Sequence, residues 1–179
     1  MKAALTFAHG VDRLNNAFGK LAEWAVLLSC LISAGNAIVR YGLSISSNAW
    51  LEIQWYLFAV AVMLGASVVL RINEHVRVDL AYARYSTRTK VLVDLFGLTF
   101  FLLPVMAAML FYAWPMFVDR WVSGEVSQSA GGLVRWPVVL TMPLGFGLLA
   151  LQGLAEIIKR VAWLRHEYEM DTHYERPLQ

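Results

Sequence analysis

The side chains best suited to chemistry cluster at the end of one apolar run, in the motif Arg71-x-x-Glu74-His75-x-Arg77-x-Asp79. Three interpretations fit a charged cluster at such a place. It is a solvated flank, a hydrogen-bonded knot that sets the angle between the run and the next segment, or a docking site for a partner protein. We favour the knot. We expect His75 to be structural, although histidine titrates near neutral pH and a pH-dependent role stays open.

Other catalytic or cofactor-binding arrangements are missing from the sequence. The four histidines lie outside the apolar runs, whereas paired axial ligands of a membrane haem must lie within them. The single cysteine, Cys30, excludes an intramolecular disulfide. We find no zinc-spaced cluster, no phosphate-binding glycine loop and no informative Ser, His and Asp spacing. The chain is therefore predicted to have no catalytic, cofactor-binding or metal site, and not to be an enzyme.

The composition indicates which elements position these residues. Apolar residues make up 59% of the 179 residues and charged residues 16%, whereas soluble domains carry roughly 25% charged residues. A transmembrane helix needs about 20 apolar residues to cross a hydrocarbon core of about 30 Å. We predict an all-α integral membrane protein, one membrane domain over 1–179, with four transmembrane helices at about 21–39, 50–70, 91–118 and 137–158.

Two segments outside these spans have helical character. Residues 1–20 fit a short interfacial helix or a disordered tail about equally well. Residues 75–85 alternate apolar and charged side chains, which predicts a short amphipathic helix on the membrane surface. Ser86 or Thr87 is then expected to cap the next helix.

The basic residues predict the orientation. Arg40, Arg120 and Arg135 are the only three of the 15 Lys and Arg residues on one side of this arrangement. The positive-inside rule therefore places both termini in the cytoplasm.

A few span residues are candidates for holding helices or subunits together. Asn36 lies inside span one, where a buried amide needs a partner that is often on a neighbouring helix. Arg40 and Glu52 lie near the same end of spans one and two, so they form either a salt bridge or two separately solvated charges. Gly65, four residues after Ala61, either lets another helix approach closely or is merely one small residue among many.

The middles of the four spans carry no ionisable residue. A transporter core acting alone is expected to show intramembrane charges and interrupted helices. The pattern therefore favours a supporting subunit. Two alternatives remain open: a self-contained four-helix, proton-coupled exporter of the small multidrug type that uses Glu23, and a structural subunit of an unrelated complex.

Several motifs occur in order along the chain: Asn36-Ala-Ile-Val-Arg40-Tyr41, Trp50-x-Glu52, Gly65, Arg71-x-x-Glu74-His75-x-Arg77-Val-Asp79 and Pro143-x-Gly145-Phe. Together, over roughly residues 21–160, they resemble the small (Q-type) membrane subunit of tripartite ATP-independent periplasmic (TRAP) transporters. The Glu-His-x-Arg-Val-Asp run is the most specific part of the resemblance.

The resemblance implies a four-helix subunit of the bacterial inner membrane that scaffolds a large membrane subunit. The large subunit is expected to carry the substrate and sodium sites, and a periplasmic binding protein to deliver a small organic acid anion. The resemblance assigns no substrate residue to this subunit. The nine residues Asn36, Arg40, Glu52, Gly65, Arg71, Glu74, His75, Arg77 and Asp79 are carried over only as structural or interface candidates. We also expect the loop at 123–133 to make a minor contact with the binding protein.

Overall fold

The computed structural model describes residues 1–45, 47–72 and 85–169, and almost all of this part is helical. Helices α1 (Lys2–Leu43) and α2 (Asn48–Ile72) are followed by a continuous rod over Thr87–Ser123 and by helix α5 (Trp136–Leu164). The rod comprises α3 (Thr87–Gly97), a π-helix (Leu98–Leu102) and α4 (Leu103–Ser123). Four helices, α1, α2, the rod and α5, are long and apolar enough to cross a membrane. This confirms the predicted all-α class with four spans.

The first 20 residues are neither a separate interfacial helix nor a disordered tail. They continue into span one as a single helix of 42 residues, about 63 Å at about 1.5 Å per residue. Ala8 and Val11 are buried there against Ala155 of α5. Small and apolar side chains at three-residue spacing give this end of α1 a face that packs on another helix.

The predicted surface helix falls almost wholly in 73–84, outside the described residues. The start of the helix that follows is described. Ser86 is its N-cap, and its hydroxyl accepts a hydrogen bond from the Thr89 backbone N–H at 3.3 Å. This confirms the expected cap, which satisfies one of the free N–H groups of the first turn.

Helix α5 is the centre of the bundle and packs against α1, α2 and the rod. Small residues set the closest approaches. A Cβ added to Gly145 of α5 would lie 2.6 Å from the Met63 carbonyl oxygen of α2. A Cβ added to Gly19 of α1 would lie 2.6 Å from a methyl group of Val68 of α2. The helices therefore approach so closely that larger side chains do not fit at these points.

The π-helix in the rod has a local cause. Pro104 has no N–H, and its ring would clash with the carbonyl four residues earlier in a regular α-helix. The Leu103 N–H instead bonds to the carbonyl of Leu98, five residues back. A single wide turn of this kind accommodates the proline without breaking the helix. It places Leu102 against Gly153 of α5, where an added Cβ would lie 2.6 Å from the Leu102 side chain.

Candidate functional site

Buried polar side chains meet at the end of the bundle where α1 begins and α5 ends. Gln152 of α5 is fully buried. Its carbonyl oxygen accepts a hydrogen bond of 2.6 Å from the Asn15 amide. Its amide nitrogen donates to Asp12 at 3.0 Å and to Glu156 at 3.1 Å. The glutamine thus joins α1 to the interior of α5.

Two cations one helical turn beyond Glu156 on α5 complete this arrangement. The Lys159 ammonium donates to Asp12 at 2.7 Å and to Glu156 at 2.9 Å. The Arg160 guanidinium donates to Glu156 at 2.5 Å and to Asp94 of α3 at 3.1 Å. Three carboxylates therefore share two cations, and the side chains of both cations are less than a tenth exposed.

We call these seven residues the N-terminal network: Asp12, Asn15, Asp94, Gln152, Glu156, Lys159 and Arg160. It links α1, α5 and α3, which are far apart in sequence. Buried charges are tolerated when they are paired and hydrogen-bonded, as here. The Oδ1 of Asn15 is buried without a hydrogen-bond partner among the described residues. Because the charged groups bond to one another, the network fits a structural crosslink better than a site that binds substrate.

A second set of contacts lies at the opposite end, where residues 124–135 connect α4 to α5. Glu52 of α2 accepts a hydrogen bond from the Leu133 backbone N–H at 2.7 Å and another from the Ser127 hydroxyl. The Tyr56 hydroxyl, one turn further along, donates to the Val134 carbonyl at 3.1 Å. The start of α2 thereby holds the connecting loop.

The same loop is also held by its own flanking helices. Glu125 accepts from Arg135 at 2.7 Å and also pairs with Arg120. Trp121 and Trp136 stack edge to face with ring centroids 4.4 Å apart. Such aromatic pairs add to the free energy gained by burial. The loop is thus fastened at both of its ends as well as to α2.

The salt bridge between Arg40 and Glu52, one of the two arrangements expected from the sequence, is not formed. Among the ion pairs of the described residues these two do not pair, and Arg40 is exposed. The physical reason is that the carboxylate of Glu52 is already used by Ser127 and Leu133. Donors from a loop about 80 residues later reach Glu52, and its nearest basic neighbour in sequence does not.

Of the other candidate residues named from the sequence, three lie in the described part of the chain and four do not. Gly65 faces α1, where an added Cβ would lie 3.6 Å from the Cβ of Ala22. Asn36 is buried on α1, and no hydrogen bond to another helix is found for it among the described residues. Arg71 ends α2 and lines a cavity beside α1. Glu74, His75, Arg77 and Asp79 lie outside the described residues, so the proposed knot stays a prediction.

The N-terminal network was missed by the sequence reasoning, which named none of its seven residues as candidates. A signal was available. Gln152, Glu156 and Lys159 recur at the spacing of one helix face, and Asp12 and Asn15 are three residues apart. Two polar faces of complementary charge at the same end of two spans are expected to meet. Among the described residues, no group of three His, Cys, Asp or Glu side chains is arranged to hold a metal ion.

A family model described as "Tripartite ATP-independent periplasmic transporters, DctQ component" matches residues 29–162, more than half of the chain. The matched range includes the α5 and α3 residues of the N-terminal network but not Asp12 and Asn15. No curated protein and no solved structure matches the chain.

Proposed function

This chain belongs to the DctQ component family of tripartite ATP-independent periplasmic transporters, and we propose that it scaffolds the large membrane subunit without carrying the substrate site. It is a multi-pass membrane protein and the small permease subunit of its transporter. The tripartite assembly also contains a large membrane subunit and a binding protein. The scaffolding role goes beyond family membership and rests on how the interior of this chain is built.

The observation that carries the proposal is that the buried charges are bonded to one another. Lys159 and Arg160 each bond to carboxylates of the N-terminal network, so that all three carboxylates have a cationic partner. Away from that end, Ser67 and Thr141 are buried but donate to carbonyls of their own helices. A substrate site for an anion needs cationic or amide groups free to bind it, and the cations of the N-terminal network are occupied.

A second support is the apolar surface of the bundle. The rod packs mainly on α5, and α4 leaves Phe111, Tyr112 and Val122 more than two thirds exposed. Helix α1 likewise exposes Ile38 and Trp24. Surfaces of this kind fit lipid tails or the apolar helices of a membrane partner. They offer area for a scaffold contact on two sides of the subunit.

The exporter alternative gains no support from this geometry. Glu23 is exposed on α1 and does not point into the bundle. A proton-coupled site within a single bundle requires its carboxylate in the interior or in a water-filled cavity.

The finer properties follow from the family and are proposals. The transporter is proposed to be sodium-coupled and to take up a small organic acid anion, with the sodium and substrate sites in the large subunit. This subunit then needs no cofactor of its own. We propose a bacterial inner-membrane location with both termini cytoplasmic. We also propose a transient contact between the binding protein and the loop at 123–133.

The test is purification followed by reconstitution. The tagged chain is isolated in mild detergent, and co-purifying proteins are identified by mass spectrometry. We expect a stoichiometric partner with many more spans, and sodium-dependent uptake in vesicles only when both membrane subunits and the binding protein are present. Uptake or export by this chain alone would contradict the proposal.

The partner-facing side can be mapped with introduced cysteines once the single native cysteine, Cys30, has been replaced. In a Cys30→Ser background, Tyr112→Cys on α4 and Ile38→Cys on α1 present equally exposed thiols, 73% and 72%. The thiol on the covered side is expected to crosslink to the large subunit and to be protected from a lipid-soluble maleimide. Full reactivity of both thiols in the assembled complex would contradict a scaffold contact on these two faces.

A further inference from the structure

A cavity of about 630 Å³ opens between the beginning of α1 and the end of α2. It is lined by six of the described residues: Thr6, His9, Gly10, Asp12, Arg13 and Arg71. Neither the N-terminal network nor the proposed scaffold contact accounts for its two arginines.

Among the described lining residues, the charge that is not paired is positive. Arg13 is exposed, and it forms no ion pair with another described residue. The Nε of Arg71 is buried and has no hydrogen-bond partner among the described residues. A buried donor without a partner costs free energy, and a bound acceptor removes that cost. Of the six described lining residues only Asp12 is acidic, and Lys159 at 2.7 Å already pairs with it.

The arginines lie where a membrane surface is expected. Residues 57–70 of α2 carry no charge, and Arg71 follows directly in the last turn of the helix. Gly19 of α1 lies opposite Val68 of α2, and this contact shows which residues of the two helices are at the same height in the bundle. It places Arg13 beyond the apolar part of the pair, on the same side as the guanidinium of Arg71. Long basic side chains at such a level reach the headgroup region.

Exposed apolar side chains continue from the cavity along α1 toward the middle of the span, with one lysine among them. Arg13, Ala17, Lys20 and Trp24 recur at helical spacing on one face, and Leu21 borders this face. Lys20 is exposed and adds a second positive charge beyond Arg13. Leu21 is 50% exposed and Trp24 60% exposed. A cationic cavity with exposed apolar side chains beside it matches a molecule with an anionic head and hydrocarbon tails.

We propose that Arg13 and Arg71 bind the phosphate of an anionic phospholipid between α1 and α2. Planar guanidinium groups bind phosphate oxygens through paired hydrogen bonds, and basic pockets between membrane helices take lipid headgroups. The ring of His9 lines the same cavity and can add a donor, whereas the Thr6 hydroxyl already donates to the Lys2 carbonyl at 3.1 Å. The bound lipid would hold the first turns of α1 against the end of α2.

The test measures lipid binding to the full chain. Purified, delipidated protein is titrated with phosphatidylglycerol or phosphatidylcholine of the same acyl chains and followed by native mass spectrometry. We expect phosphatidylglycerol to bind more tightly. Arg13→Gln and Arg71→Gln are each expected to weaken its binding about fivefold or more, since each basic residue near an anionic surface contributes about 1 kcal/mol. Arg40→Gln, an exposed arginine at the other end of α1, is the matched control.

Three results would overturn the proposal. One is equal binding of the two lipids. Another is a loss of affinity in Arg40→Gln as large as in Arg13→Gln. The third is displacement of the lipid by inorganic phosphate at comparable concentration, which would indicate a soluble anion. If Arg71→Gln elutes as an aggregate in size-exclusion chromatography, the exposed Arg13→Gln decides the outcome.

Discussion

Replacing Lys159 with methionine removes the cation that two buried carboxylates share. Glu156 keeps Arg160 as a partner at 2.5 Å. Asp12 keeps only the neutral amide of Gln152 at 3.0 Å, with His9 3.8 Å away. The perturbation therefore leaves one carboxylate on α1 without its principal counter-charge.

The size of the effect follows from that geometry. Removing one partner of a buried ion pair costs about 3–5 kcal/mol. Asp12 retains 16% side-chain exposure, so we expect the lower end, about 3 kcal/mol. For a chain of this length, that loss lowers Tm by about 6–12 °C. The loss should appear first as detachment of the N-terminal part of α1 from α5.

The assay is thermal unfolding in detergent, followed by tryptophan fluorescence. Lys20→Met is the control because Lys20 is an exposed lysine on the same helix as Asp12. The double variant Asp12→Asn with Lys159→Met should lose less stability than the two single variants combined, since it removes both charges together. A Tm for Lys159→Met no lower than that of Lys20→Met would refute the reasoning.

Two further predictions concern the other contacts. Gly145→Ala should lower Tm, because the added Cβ would lie 2.6 Å from the Met63 carbonyl oxygen. The backbone of α2 would have to shift to make room, which costs about 1–3 kcal/mol. Gly147→Ala, with open space at its Cβ, should leave Tm unchanged or raise it slightly, because alanine favours the helix over glycine. Equal losses in both variants would contradict the close approach. Glu52→Gln should speed amide hydrogen exchange at Leu133, whose N–H donates to that carboxylate at 2.7 Å. Exchange unchanged from wild type, measured by mass spectrometry, would show that other contacts hold the loop.

The number and type of helices were predictable because hydropathy is a local property. Each run of about 20 apolar residues must satisfy its backbone groups internally in lipid, and helices do this segment by segment. The Ser86 cap was predictable for the same reason, since the side chain and the N–H that it accepts from are three residues apart. The family motifs, from Asn36 to Gly145, needed no three-dimensional information either.

The partners of the polar side chains were not predictable in this way. The carboxylate of Glu52 had a basic neighbour close in sequence, yet its donors come from Leu133 and Ser127. Residues 1–20 carried a mixed pattern that matched two alternatives, and packing on α5 selected a third. A charged residue near a helix end looks the same in sequence whether water or another helix meets it.

The sequence by itself determined that this is a four-span membrane protein of the DctQ component family, because span length and local motifs depend on neighbouring residues. Only the tertiary structure decided that Asp12 and Asn15 join Gln152 and Lys159 across about 140 residues. It also decided that Arg71 lies beside Arg13 at one cavity. Such pairings depend on the angle and level at which helices cross. Those quantities are set by close contacts, such as that of Gly145 with Met63, summed over the whole bundle.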